Sequence, residues 1–541
     1  MTMTRYGVVA TSQTLASAAG VKILEAGGSA VDAAIAANAV LGLMEPVSNG
    51  IGGDLFAIVY DAKSGKLHGL NASGWSPTGM TIETLTAKGH TKMPERGIHS
   101  VSVPGAVAGW EMMHKRFGRL PLGRLLDPAI DYAEEGFPVT AIISENWRSK
   151  RAQEAITPHA NAGKLFMRNG KGPAEGELFQ NPALARTLRR IAASGRDGFY
   201  KGATAEAIVT ISNELGGTMT MADLAEFQPE WVEPISTTYH GWTVSELPPN
   251  GQGIAALSML NIMERFPLAK YGHNSAEALH VMIEAKKLAY ADLLRYVGDP
   301  RYSNVPVAEM ASKSLAAERA KRIDLQKASC APVPSELIST AKLPGADTIY
   351  LSVVDREGNM VSFIQSNFAG FGSGIVPEEA GFMLQNRAGL FTLERNHPNS
   401  LAPRKRPIHT IIPGFLSKGD TRVAFGIMGG WNQAQAHAQY VSNIVDHGMN
   451  IQAAMEAPRF TKLTFEGCIV QVEARIPEAI QAELKKLGHD LRVAGPFSQR
   501  MGGGQAVMRG ANGVNYGASD PRKDGAAIPE SPQFAPARAR R

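Results

Sequence analysis

The stretch Ala30–Met44 limits the fold most. Asp32 and Asn38 are its only polar side chains. Ser29-Ala30-Val31-Asp32 opens it in the manner of a capping box, with aspartate in the acid position. Glu45-Pro46 ends it. A helix that is apolar almost all round cannot lie on a surface and needs cover on every side. With 44% apolar and 19% charged residues in 541, the chain has the material for such a core.

Val8-Val9-Ala10 reads as a short strand, and Ser12 as the cap of a helix that ends at Gly27-Gly28. Asn49-Gly50-Ile51-Gly52-Gly53-Asp54 then leads into a strand over 55–60. Such a turn either is simply tight or lets backbone come close to something. Residues 100–325 read as mostly helical, broken near 156–175 and 228–235 and at Pro248-Pro249-Asn250-Gly251-Gln252-Gly253. A low-complexity connector occupies 327–346, and beyond it strands take over. Residues 348–354 and 360–365 form a hairpin about Asp355-Arg356-Glu357-Gly358-Asn359. Further strands are expected near 408–415, 422–427 and 468–472, and helices near 431–447, 450–456 and 477–487. Helices, then hairpins, then helices fit sheets covered by helices, an α+β fold.

Several function classes drop out. The 55 basic and 50 acidic residues are interspersed, clustering only at Arg404-Lys405-Arg406 and around Arg538, Arg540 and Arg541. A phosphate-binding surface wants more clustered charge, so no nucleic-acid partner is expected. No apolar run reaches about 18 residues, so no membrane span is expected. The N-terminus lacks the apolar region of a secretory signal. Cys330 and Cys468 allow one disulfide at most, and so low a count suits a cytoplasmic protein. GxGxxG, P-loop, HExxH and GxSxG patterns are absent, and no Cys/His spacing suits a metal. Neither a cofactor nor a metal is expected.

The connector runs into Gly345-Ala346-Asp347-Thr348-Ile349-Tyr350-Leu351. A hydroxyl residue at a strand start behind a cleavable segment suits a chain that cuts itself. The freed threonine would hold both a nucleophile and, in its own α-amine, a base. Ordinary β-propensity also puts threonine there, and this segment alone does not separate the two readings.

The wider sequence does. It resembles the γ-glutamyltransferases, members of the N-terminal-nucleophile hydrolases, through an ordered set of segments. These are Gly27-Gly28-Ser29-Ala30-Val31-Asp32-Ala33-Ala34, Asn49 to Gly53, Ser102-Val103-Pro104-Gly105-Ala106-Val107-Ala108-Gly109, the Thr348 strand, Phe371-Gly372-Ser373-Gly374-Ile375-Val376, Gly429-Gly430, Ala457-Pro458-Arg459-Phe460, and Asp520-Pro521-Arg522-Lys523-Asp524-Gly525. The resemblance implies a four-layer αββα sandwich and a precursor cut between Asp347 and Thr348. A large chain, 1–347, and a small catalytic chain, 348–541, would then stay together as a heterodimer and one structural unit. It further implies that Thr348 attacks an amide carbonyl of a small-molecule substrate, forms an acyl-enzyme, and passes the acyl group to water or an amine. Gly429 and Gly430 would supply the oxyanion donors, with Asn367 near the nucleophile. The resemblance also points towards glutathione metabolism.

The match fails where a γ-glutamyl head group would sit. The family's arginine for the α-carboxylate is missing from Asn71-Ala72-Ser73-Gly74-Trp75-Ser76-Pro77, where Trp75 is either a pocket residue or a space-filling plug. Leu390 falls near the family's aspartate for the α-amine, and His409-Thr410 replaces a serine pair after Arg406-Pro407. His409 is read as a polar pocket wall. Arg387 is a new cation in the region, and a guanidinium suits a carboxylate. The donor is therefore expected to be a carboxylate-bearing amide, glutaryl-, oxamate- or γ-glutamyl-like. A γ-glutamyltransferase or glutathione hydrolase with other head-group contacts is the second reading. An uncut, inactive binding protein is the third. The polar stretch 392–403 resembles the family's lid over the pocket, or is a plain surface loop.

Overall fold

The structure, a computed structural model, describes residues 1–330 and 346–532. Most of the connector, 331–345, and the basic tail at Arg538, Arg540 and Arg541 lie outside the described residues.

Two seven-stranded sheets make the centre. In spatial order, one runs Ala526–Pro529, Val8–Thr11, Ala346–Val354, Met360–Ala369, Asp54–Asp61, Lys66–Ala72, Glu230–Val232. The other runs Thr2–Thr4, Asn515–Ser519, Gly504–Arg509, Thr421–Ile427, Gly414–Lys418, Trp242–Glu246, Ile235–Tyr239. Side chains alternate along each strand and separate three cores. Ile349, Leu351 and Val353 face a core under the helices Thr14–Glu25 and Ala30–Met44, whereas Tyr350 and Val354 face the space between the sheets. Leu55, Ala57 and Val59 part from Phe56, Ile58 and Tyr60 in the same way. The third core lies outside the second sheet, beneath Gly253–Met263, Ala276–Tyr296 and Gln433–Val445. The molecule is the four-layer αββα sandwich.

The all-round apolarity of Ala30–Met44 is accounted for by its position. It packs on Ala346–Val354 and Met360–Ala369, and is covered by Thr14–Glu25, Ala106–Phe117 and Leu122–Glu135. Ser29 and Asp32 form the capping box, and Asp32 also accepts from the Arg119 and Leu120 N–H groups.

Some expectations are corrected. Gln13, not Ser12, caps the first helix, because its longer side chain reaches Leu15 N and Ala16 N while the Ser12 hydroxyl is taken by Glu45. The strand carrying Thr348 starts at Ala346, since Ala346 and Asp347 already pair with Ala369 and Phe368. Most of 408–415 is not strand. Its only strand residues begin at Gly414, and between Pro407 and Pro413, which lack N–H donors, the chain bonds to the Asn250–Gln252 turn instead. The stretch 228–235, expected as a break among helices, and the residues after it to 246, expected as part of the helical region, supply strands at the edges of both sheets. Strands Asp490–Ala494, Gly504–Arg509, Asn515–Ser519 and Ala526–Pro529 were not foreseen.

Cys330 and Cys468 form a disulfide with their Cα atoms 5.0 Å apart. No helix among the described residues is long and apolar enough to cross a membrane.

Candidate active site

Thr348 lies where a hairpin changes register. Asp347 pairs with Phe368 but Ile349 pairs with Gln365, so Thr348 stands opposite two residues, Ser366 and Asn367. Its side chain is buried, and its hydroxyl donates to Ser366 Oγ at 3.2 Å. Phe368, at φ 78°, turns the chain there, and its N–H donates to the same Ser366 oxygen at 2.8 Å. One strand further on, Asp54 pairs with Ser366. Thr348, Ser366 and Asp54 thus lie side by side across three strands.

The Gly50–Gly53 turn approaches this row. A Cβ on Gly53 would lie 2.5 Å from Ser366 O and 2.6 Å from Asn367 Oδ1, so only glycine fits. The Asn367 side chain is buried, and neither its Oδ1 nor its Nδ2 has a hydrogen-bond partner.

Gly429 and Gly430 approach from the opposite sheet. Gly426, near the end of Thr421–Ile427, packs against the Tyr350 ring, where a Cβ would come within 2.3 Å. The turn Gly430–Asn432 contacts the Thr348 strand. Gly429 and Gly430 take φ 121° and 59°, a region that side chains resist. Gly429 O accepts from Asn432 N–H at 3.0 Å. In a trans peptide N–H and C=O point oppositely, so the Gly430 N–H points away from the turn.

Arg387, His409 and Thr410 converge on Asp54, which sequence reading had not marked. Asp54 Oδ1 accepts from Gly74 N and from Gln385 Nε2, both at 2.8 Å. Asp54 Oδ2 accepts from His409 Nε2 at 2.8 Å, and His409 Nδ1 accepts from Ile411 N–H at 3.3 Å. That pair of bonds fixes the neutral Nε2–H tautomer. Burial, with Arg387 nearby, pushes the His409 pKa down to about 4 against the hydrogen bond to Asp54. The His409 ring lies 4.7 Å from the Phe56 ring, tilted by 37°.

Arg387 is fully buried. Its Nη1 donates to Thr410 Oγ1 at 2.7 Å, its Nε is 3.9 Å from Asp54 Oδ2, and its guanidinium lies 4.6 Å from the Phe368 ring centroid. Nε and Nη2 have no hydrogen-bond partner among the described residues. Burial pushes its pKa down to about 9 against the pull of Asp54, which leaves it charged at neutral pH. Trp75 turns elsewhere: its indole reaches Asp223 O at 3.4 Å and meets Phe227 edge-on. Thr348, Asn367, Arg387, His409 and Thr410 are therefore linked through shared partners, while the Trp75 ring packs towards Asp223 and Phe227. Asp54 was within reach of sequence reading, since it closes the glycine-rich segment.

The neutrality of His409 has a consequence in acid. Its proton binds first in the unfolded chain, at the ordinary value near 6.5 (roughly), so stability falls as pH drops towards about 4 and stays lost below. Urea midpoints measured from pH 7 to 4 should fall more steeply for the wild type than for His409→Gln. Parallel curves would contradict this account.

An αββα sandwich with a buried hydroxyl on a central strand and a glycine turn from the opposite sheet against that strand has the architecture of the N-terminal-nucleophile hydrolases. The model of one family, gamma-glutamyltranspeptidase, matches residues 16–530, and the chain belongs to that family. A glutathione hydrolase-like YwrD proenzyme of Bacillus subtilis is 36% identical, covering 95% of this chain and 96% of its own. An oxamate amidohydrolase proenzyme of Klebsiella pneumoniae is 35% identical over 96% of this chain and 98% of its own. The crystal structure of cephalosporin acylase from Bacillus halodurans superposes with a TM-score of 0.90 at 42% identity, covering 97% of this chain and 96% of that one. The protein is an amide hydrolase or acyltransferase of this family.

Proposed function

We propose that this chain is a precursor that cuts itself between Asp347 and Thr348 and then hydrolyses, or transfers the acyl group of, amides bearing a free carboxylate and no α-ammonium. The observation that carries the substrate class is Arg387, a buried guanidinium in the Thr348 site whose Nε and Nη2 are unbonded. A carboxylate accepts two parallel bonds from such a fork. An α-ammonium would need a carboxylate of its own, and both Asp54 oxygens are already engaged by Gly74, Gln385 and His409. Relatives named for oxamate and for cephalosporins support a donor other than a γ-glutamyl amide.

In processing, Thr348 Oγ1 adds to the Asp347 carbonyl carbon, the C–N bond breaks, and an ester forms while the nitrogen gains a proton. Water cleaves the ester, releasing the Asp347 carboxylate and a free Thr348 amine. That amine, with an ordinary pKa of about 7.7–8.0, then takes the Oγ1 proton as Oγ1 adds to a substrate carbonyl. The oxyanion is met by N–H donors of Gly429-Gly430, with the unpartnered Asn367 amide beside it. The leaving amine departs with the proton, and water or a second amine resolves the acyl-enzyme. Segment 392–403 serves as the lid, its ends joined where Thr392 pairs with Ser400.

Glutaryl and γ-glutamyl p-nitroanilide should be compared side by side, with glutaryl turning over faster. A strong γ-glutamyl preference overturns the reading and favours a glutathione hydrolase.

Residues 1–347 and 348–541 would form the two chains. Cys330 belongs to the first and Cys468 to the second, so the disulfide would join them covalently. On a denaturing gel the mature protein should run as one species without reductant and as two fragments with it. Two fragments under both conditions would show that the bond is absent from the mature protein. A formed disulfide suits an oxidising compartment and weighs against the cytoplasmic location suggested by the cysteine count.

A further inference from the structure

Gln252 ties the two halves of the site together. Its carboxamide is fully buried. Nε2 donates to Gly430 O at 2.7 Å and to Thr410 O at 2.5 Å, and Oε1 accepts from the Tyr290 hydroxyl at 3.0 Å. Two carbonyl acceptors fix the orientation of the amide, because the flipped form would set Oε1 against both. The Gln252 backbone N–H also donates to His409 O at 3.0 Å. Thr410 carries the hydroxyl that accepts from Arg387, and Gly430 opens the turn that contacts the nucleophile's strand.

We propose that Gln252 is a positioning residue that couples the carboxylate seat to the oxyanion turn. The proposal rests on the roles given above to Arg387 and Gly430. A single carboxamide sets the height of both the Thr410 and the Gly430 peptide. Removing its donors takes away the Thr410 carbonyl's bond to Gln252 and leaves the Gly430 carbonyl to the Gln433 N–H alone, so both segments can shift. Displacement of about 1 Å at a reacting centre costs roughly 100-fold in rate. Tyr290 supports the clamp from behind, with its hydroxyl also reaching Trp431 O at 2.5 Å.

The test uses the mature enzyme and two donors of equal chain length, glutaryl and pentanoyl p-nitroanilide. Gln252→Met keeps the bulk and removes the donors, and Tyr290→Phe removes only the support. In Gln252→Met, kcat should fall roughly 100-fold for both donors, while KM rises for glutaryl alone. Tyr290→Phe should show the same split at several-fold size, and it remains informative if Gln252→Met does not mature. A residue with only a structural role would lower the yield or Tm of active enzyme and leave this split unmoved. Wild-type kcat and KM in a folded, processed variant overturn the proposal, as does an equal KM rise for both donors. If the wild type itself handles both donors with one KM, the Arg387 reading and the carboxylate half of the coupling fail together. The kcat comparison then still tests the Gly430 half.

Discussion

Thr348→Ala should leave the chain uncut and lower amide turnover on the order of 10⁵-fold or more. The size of the effect follows from the double use of one oxygen. Without Oγ1 no ester forms at Asp347, so the amine that serves as base is never released. Without Oγ1 there is also no acyl-enzyme. The fold should survive, because the hydroxyl makes one bond of 3.2 Å, to Ser366, worth about 1 kcal/mol. Tm should therefore stay within a few degrees while a reducing gel shows one band near 57.8 kDa. Thr348→Ser should mature and turn over, since it keeps the oxygen. A Thr348→Ala chain that still splits in two would end the self-cleavage account, and one that stays whole yet hydrolyses anilides would end the nucleophile assignment. The inert-binding-protein reading predicts one band for the wild type as well, so the wild-type lane decides that question first.

The layers were legible in the sequence because their signals are local. Ala30–Met44 announces burial on all sides, and the nearly continuous apolar runs at 349–354 and 55–60 mark strands with two buried faces. The late strands were not legible for a physical reason. Gly504–Arg509 and Asn515–Ser519 carry Gly, Gln and Asn at buried positions, and a strand of that composition is defined by its neighbours and not by its own side chains. The site divides the same way. Thr348 and the glycine pair could be placed by order along the chain. Asp54 is 355 residues from the histidine it orients, and Gln252 is 178 from the carbonyl it holds. Contacts made across the gap between two sheets leave no spacing in the sequence. The Gly-Ile-Gly-Gly-Asp and Pro-Pro-Asn-Gly-Gln runs read as turns, while the residue closing each run carries the chemistry.

Arg387→Met should separate substrate choice from catalysis. Among the described residues the guanidinium has only Thr410 as a hydrogen-bond partner, with Asp54 at 3.9 Å and Phe368 beneath it. Replacing a whole buried ion pair with apolar residues is often nearly neutral for stability, but Arg387→Met removes one partner only and leaves the buried Asp54 carboxylate without its cation. Asp54 keeps three donors in the variant, and with the cation gone the His409 pKa should rise, since Arg387 helps to hold it down. The three donors soften the loss, and folding stability should fall by about 3 kcal/mol. Towards glutaryl anilide, however, kcat/KM should fall roughly 100-fold, the equivalent of two charge-assisted bonds at about 1.5 kcal/mol each. Towards pentanoyl anilide it should hold within a few-fold. Arg387→Lys keeps the charge but loses the fork, so it should recover only part of the glutaryl rate. If both donors decline together, Arg387 is a structural partner of Asp54 and the carboxylate reading falls. If only glutaryl declines, the preference comes from a cation whose burial is justified by the substrate it receives.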